Sequence, residues 1–317
     1  MSKSRFFVAA LAATLFITPA LAQDEWTVRP EWVRAHENFL AGPAMQGRGS
    51  GTAFEAIAAS YVAAQFESIG LKPAPGMTGY LQAGAVSSRR TNGFVVTMNA
   101  IGFLPGTDPA AGVILITAHH DHLGIVNGKL MPGANDDASG TAAVIEIARA
   151  LAAGKPMKRG VLFVTYGTEE VGGLGSTYFG AHPPVPLTSI VANIEIEMIG
   201  APDPKLPAGH LMMTGFERSN LGEALLKHGA LIAPDPYPEQ RFFERSDNYS
   251  LALKGVVAHT ISGWATTPNY HSENDSVANL DIAFMTRAIQ SLIPSVRFLA
   301  NGEFKPAWKP AGQPVPR

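Results

Sequence analysis

The chain has 317 residues, 46% hydrophobic and 16% charged, with a formal net charge of −2 and no cysteine. That apolar content excludes an unfolded chain, a domain of this length can bury about three quarters of its extended surface, and the slight acidity argues against a nucleic-acid partner. Without thiols there can be no disulfide, iron–sulfur cluster, thiolate zinc site or cysteine nucleophile, so a transition metal would have to be held by His, Asp and Glu.

Residues 1–22 read as a cleavable secretory signal: Lys3 and Arg5 precede an apolar run over 6–17, and Pro19-Ala20-Leu21-Ala22 ends in a small-x-small pattern. The run is too short for a bilayer-spanning helix, which needs about 20 residues, so no stable membrane anchor is expected after cleavage. The product is expected in the periplasm or outside the cell. Neither a repeat nor a long linker interrupts residues 23–301, which predicts one domain, and the prolines of 302–317 predict a poorly ordered tail.

Within the domain, Thr52 is placed to cap a helix carrying Phe54, Ile57, Tyr61, Val62, Phe66 and Ile69 at spacings of three and four, with Gly70 as its stop. Runs rich in β-branched residues at 94–101, 113–117, 161–166, 190–199 and 256–261 read as strands. Helices are expected over 139–153, ended by Gly154, and after Asp281, where Ile282, Met285, Ile289 and Leu292 share a face and Pro294 should introduce a bend. Strands alternating with helices predict an α/β fold with a mainly parallel sheet covered on both faces, and such sheets bind ligands beyond the carboxyl ends of their strands.

Ionisable residues follow these strands. After 113–117 comes Ala118-His119-His120-Asp121-His122, where a His leaving a strand can meet a metal and Asp121 can accept its second ring N–H; a solvated loop is the other reading. Gly133-Ala134-Asn135-Asp136-Asp137-Ala138-Ser139-Gly140 opens the next helix. Asp is an ordinary cap there, yet its small neighbours leave room for a carboxylate to bridge two cations. The strand at 161–166 runs into Gly167-Thr168-Glu169-Glu170, either a harmless surface pair or a ligand beside a base. In Asn193-Ile194-Glu195-Ile196-Glu197 the alternation puts both acids on one face, and once buried they require a cation or protonation. Pro268-Asn269-Tyr270-His271 supplies a late His after an aromatic residue.

In order and local pattern these five segments resemble the zinc aminopeptidases of peptidase family M28. The resemblance extends upstream to Gln46-Gly47-Arg48-Gly49-Ser50-Gly51 and Ile69-Gly70-Leu71-Lys72-Pro73, covering residues 31–299 approximately. It implies a zinc-exopeptidase-like α/β domain on a mixed, mostly parallel sheet flanked by helices, without an inserted protease-associated domain. It also implies a metal-dependent exopeptidase that acts on peptides, holds two Zn2+ per chain, and is most similar to the aminopeptidases.

Carried over by position, Asp136 would bridge the ions, with His119 and Glu197 completing one site and Glu170 and His271 the other. Glu169 becomes the general base, Asp121 orients His119, and Tyr270 matches an oxyanion-stabilising tyrosine of some members. A cis peptide bond is implied after Asp136. Two positions depart from the family pattern. Glu197 stands where many members have Asp, and Asn248 replaces the His of a Ser-Asp-His stretch, leaving Asp247 either to touch substrate or a metal ligand or to cap the following helix. A carboxypeptidase of the same family, a glutaminyl cyclase (an acyltransferase with one zinc) and a non-catalytic binding domain of this fold are the alternatives. Side-chain preference, native metal and oligomeric state stay open; Arg218, Arg241 and Arg245 either select acidic groups or solvate the surface.

Overall fold

A computed structural model describes residues 26–88 and 92–315. The expected secretory segment, residues 1–22, lies outside the described residues. Helices α1 (Pro30–Leu40) and α2 (Ala53–Ile69) come first, then strands β1 (Leu81–Ser88), β2 (Gly93–Leu104), β3 (Val113–His119), β4 (Gly124–Val126) and β5 (Lys129–Met131). They are followed by α3 (Ser139–Ala152), β6 (Gly160–Tyr166), α4 (Leu174–Ala181), β7 (Ile190–Glu197), β8 (Leu211–Met213) and α5 (Leu221–Lys227). The domain closes with β9 (Ile232–Pro234), α6 (Asn248–Ala252), β10 (Ala258–Ser262) and α7 (Ile282–Asn301).

Eight strands form one sheet in the order β1-β2-β6-β3-β7-β10-β8-β9, and β4 pairs only with β5. The central four, β6, β3, β7 and β10, are mutually parallel, while β1 and β2 run antiparallel to their neighbours and β8 pairs antiparallel with β10 but parallel with β9. Every residue of β3, β6 and β10 is buried, which explains why β3 and β6 read as mainly apolar runs rather than alternating ones. Helices α1, α2, α3 and α7 pack over one face around Phe66, Ile114, Ile147 and Leu292, and α4 and α6 cover the other around Leu115, Leu162, Phe179 and Leu251. The expected α/β architecture, mixed and mostly parallel, is the one observed.

The caps follow the residue chemistry. Thr52 accepts a hydrogen bond from the Phe54 N–H at 3.2 Å, and Gly70 ends α2 in the left-handed region at φ 86°. Pro294 lies within α7, which runs past it to Asn301. Gly140, in the first turn of α3, lets that helix press against β7: a Cβ there would lie 2.0 Å from the Ile196 carbonyl oxygen.

The tail expectation needs correction. Residues 302–315 lie against the domain: the Trp308 indole donates to the Gly255 carbonyl at 3.1 Å, the Ala307 N–H to Asn220 at 2.8 Å, and Phe304 packs on the core. Two aromatic anchors among the prolines outweigh the disorder that the composition suggested. Among the described residues no helix is long and apolar enough to cross a membrane.

Candidate metal centre

Parallel pairing brings the carboxyl ends of β3, β6, β7 and β10 side by side, so residues far apart in sequence meet at one edge. His119 ends β3, Glu197 ends β7, Glu169 and Glu170 follow β6, and His271 follows β10. The backbone turns sharply at three of these exits, with Thr168, Met198 and His271 in the left-handed region at φ 54°, 55° and 52°. Such conformations cost non-glycine residues roughly 1–3 kcal/mol and persist where surrounding contacts enforce them.

Those contacts are specific. Asp137 accepts from the His119 N–H at 3.3 Å, the Gly140 N–H at 2.8 Å and the Met198 N–H at 3.0 Å, tying together the end of β3, the start of α3 and the end of β7. Asp275 accepts from the backbone N–H groups of Asn135 at 2.7 Å and Asp136 at 3.0 Å, which joins the His271 loop to the Asp136 loop. Asp121 faces the His119 ring at 3.7 Å and accepts from the Glu169 N–H at 2.9 Å and the Ser50 hydroxyl at 2.5 Å. Arg48 is fully buried and donates to the carbonyls of Leu40, His120, Pro132 and Gly133 at 2.7–2.8 Å. The peptide bond between Asp136 and Asp137 is cis, at the position implied by the resemblance.

The five expected ligands come together. His119, Asp136 and Glu197 offer ligand atoms within 4.8 Å of one another, and His122, Asp136 and Glu170 form a second such group. The His119 Nε2 lies 3.2 Å from Asp136 Oδ1, while His271 Nε2 lies 3.1 Å from both Asp136 Oδ2 and Glu170 Oε2. His122 was not singled out in the sequence, yet its Nδ1 is 2.8 Å from Glu170 Oε1 and 3.8 Å from Asp136 Oδ2. Its place in a run of three histidines was the available clue.

The nitrogens His119 Nε2, His122 Nδ1 and His271 Nε2 are buried and face carboxylate oxygens without making a hydrogen bond of proper geometry. Ring nitrogens converging on shared oxygens in this way, with no thiolate nearby, fit a divalent ion that accepts imidazole and carboxylate ligands.

The charges around Asp136 are strongly shifted. Burial works to strip the proton from His271, but the Asp136 and Glu170 carboxylates overcome it and lift the ring to about 10. For His119 burial acts the same way, and Asp121 and Asp136 outweigh it, holding the ring well above its usual range. Burial raises Asp136, but the close His119 and His271 rings carry it well below the usual carboxylate value.

Glu169 is pushed well above the usual carboxylate range, first by burial, against which His119 acts, and then by Asp247, Glu197 and Glu170. It lines a cleft of about 520 Å³ together with Asp136, Glu170, Glu197, Tyr270 and His271. The Tyr270 ring stacks on His271 with centroids 3.8 Å apart, and burial raises its phenol.

Asp247 does not line this cleft. It is buried behind Ser246, makes no helix-capping hydrogen bond, and neither oxygen is hydrogen-bonded; burial pushes it up to about 7, against the pull of His119. Of the readings of Asp247, the helix cap gives way: it is a carboxyl enclosed beneath the wall of the cleft, close enough to His119 and Glu197 to feel their charges. Its neighbour Asn248 has a structural task, donating to the Phe243 and Ala258 carbonyls and accepting from the Thr260 hydroxyl at 2.9 Å. Glu195, on the same face of β7 as Glu197, lies deeper and accepts from Thr117 at 3.2 Å.

The model of peptidase family M28 matches residues 99–296. Among relatives, the chain is 34% identical over 89 residues to the aminopeptidase YwaD of Bacillus subtilis, which covers 28% of this chain and 18% of that protein. The chain spans 18–49% of the length of the first three curated relatives that it matches. Among solved structures it resembles a zinc aminopeptidase from Bacillus subtilis, with a TM-score of 0.70 at 16% identity over 89% of this chain and 98% of that one. It also resembles the glutaminyl cyclase of Porphyromonas gingivalis, with a TM-score of 0.65 at 18% identity over 85% and 98%.

Proposed function

The chain belongs to peptidase family M28, and from that premise we propose that it is an exported, zinc-dependent aminopeptidase that removes the first residue of a peptide. The observation that carries this reading is the position of Asp136, with one oxygen 3.2 Å from His119 and the other 3.1 Å from His271. A single carboxylate shared by two donor groups suits two divalent ions, with His119 and Glu197 on one side and Glu170 and His271 on the other. The orphaned nitrogens of His119 and His271 support the same assignment.

Divalent ions held there would supply Lewis acidity to the scissile carbonyl and acidify water in the cleft. Glu169, whose carboxyl is raised above the usual carboxylate range by burial and by neighbouring acids, lines the cleft as the candidate general base. It takes a proton from the attacking water and passes it to the departing amine nitrogen as the C–N bond breaks. Asp121 serves two groups at once, holding the Glu169 backbone at 2.9 Å while facing the His119 ring. Tyr270 keeps its proton because burial raises its phenol, so its O–H is available to the oxyanion that develops on the carbonyl.

The test is elemental analysis combined with a substrate panel: amino-acid anilides, N-blocked peptides and an N-terminal glutamine peptide, each with zinc, cobalt or manganese. The expected result is two equivalents of zinc and release of the free N-terminal residue. Cleavage of N-blocked peptides from the other end would make the protein a carboxypeptidase. One zinc with cyclisation of the glutamine peptide would make it an acyltransferase.

A further inference from the structure

Beyond Glu197 and Tyr270 the cleft continues into a side cavity of about 40 Å³, whose walls include Met198, Met212, Thr214, Phe242, Arg245 and Ser262. At about 10–15 Å³ for one water, this is space for a side chain with only a few heavy atoms beyond its Cβ. Leucine and glutamate both meet that limit, and an indole does not. Size therefore leaves the choice between an apolar and a charged residue to the chemistry of the wall.

Arg245 decides that choice. It stands at the rim shared by the side cavity and the main cleft. Its guanidinium lies over the Phe242 ring at 5.0 Å and donates one weak hydrogen bond to Gln240 at 3.4 Å. Among the described residues no carboxylate lies within ion-pair distance of it, whereas the nearby Arg241 is engaged by Glu244. A guanidinium has five N–H donors in a fixed fork; this exposed one stacks on Phe242 at the rim of the cavity, where its donors are open to an incoming carboxylate. Thr214 and Ser262 add hydroxyls to the lining, while Met198, Met212 and Phe242 offer an apolar wall for a methylene stem.

We infer that Arg245 binds the side-chain carboxylate of an acidic N-terminal residue, so that the enzyme prefers glutamate or aspartate at the position before the scissile bond. The inference rests on the aminopeptidase reading, and its test separates the two. The zinc-loaded enzyme is assayed on the anilides of leucine, glutamate and glutamine, the last pair differing in charge and hardly at all in shape. The glutamate anilide should show a kcat/KM about fivefold above the glutamine anilide at low salt, the scale of a charge-assisted contact at a solvated rim. Added salt should shrink that ratio, and Arg245→Met should bring it to unity. Calorimetric titration should rank L-glutamate above L-glutamine in the wild type and equalise them in Arg245→Met.

If none of the anilides is cleaved, the aminopeptidase reading falls and the inference with it. If leucine anilide is cleaved but the glutamate to glutamine ratio is unity in the wild type, or survives Arg245→Met, the assignment of Arg245 alone is overturned. A substrate carboxylate can also come from the C-terminus of a dipeptide, so Leu-Gly is compared with Leu-Gly amide. If Arg245→Met changes that ratio and leaves the anilide ratio intact, Arg245 reads the C-terminus and the side-chain proposal is wrong.

Discussion

Replacing Glu169 with glutamine separates its chemistry from its place in the structure. The backbone anchor from Asp121 to the Glu169 N–H, at 2.9 Å, involves no side-chain atom of Glu169 and survives the change. None of the donor groups around Asp136 contains Glu169, so zinc content should stay at the wild-type level. What disappears is a carboxylate, raised above its usual range by burial and by Asp247, Glu197 and Glu170, that can take and return a proton. A positioned general base contributes roughly 10²–10⁴ in rate, or about 3–5 kcal/mol of barrier. Glu169→Gln should therefore lower kcat on a leucine anilide at least a hundredfold while the metal count and the melting temperature hold. Because the base must be ionised to act, kcat/KM of the wild type should fall as pH drops through a value above 4.5, and the variant should lose that acid limb. Retention of more than a tenth of wild-type turnover would refute the assignment.

Asp136→Ala removes the carboxylate common to both donor groups, so elemental analysis after dialysis should find less than one zinc per chain; two tightly held equivalents would contradict a bridging role. Gly140→Ala would place a Cβ 2.0 Å from the Ile196 carbonyl and 2.4 Å from the Asp137 carboxylate, and overpacking of this kind costs about 1–3 kcal/mol. Thermal unfolding should show that loss, and an unchanged melting temperature would mean that α3 has room to move away from β7. Burial pushes His259 down to about 4 although the Thr214 carbonyl accepts its N–H, so the ring stays neutral in the fold and takes a proton only when unfolded. Stability should thus fall by about 3 kcal/mol between pH 6.5 and 4, and urea titrations should find that slope flattened in His259→Gln.

The residues that do the proposed chemistry were legible because each follows a strand. His119, Glu169, Glu170 and Glu197 stand at or just beyond runs whose β-branched content announced strands, His271 lies on the long loop after β10, and parallel pairing then made neighbours of those exits. The short strands β8 and β9, each of three residues, and the edge strand β1, with its Ala-Gly-Ala-Val-Ser-Ser composition, carried too weak a pattern to be expected. Helix α1 was missed too, although Pro30 at its first position was a usable start signal. The tail was misread for a different reason. Proline content describes what a chain can do alone, whereas Trp308 and Phe304 acquire their partners only once the sheet and α7 exist.

The supports of the site were not legible, because their roles lie in contacts with backbone groups that the sequence does not bring together. Arg48 is one cation in a glycine-rich loop, and nothing in its neighbourhood says that it will gather carbonyls from positions 40, 120, 132 and 133. Buried without such acceptors it would be untenable, so the folded loops and the guanidinium stabilise each other. Asp137 works in the same way, since its two oxygens take N–H groups from the residues that carry or adjoin His119 and Glu197. Removing Asp137 would leave every ligand in the chain and still release the exits of β3 and β7 from one another. Zinc affinity in this protein should therefore depend on carboxylates that never touch the metal almost as strongly as on those that do.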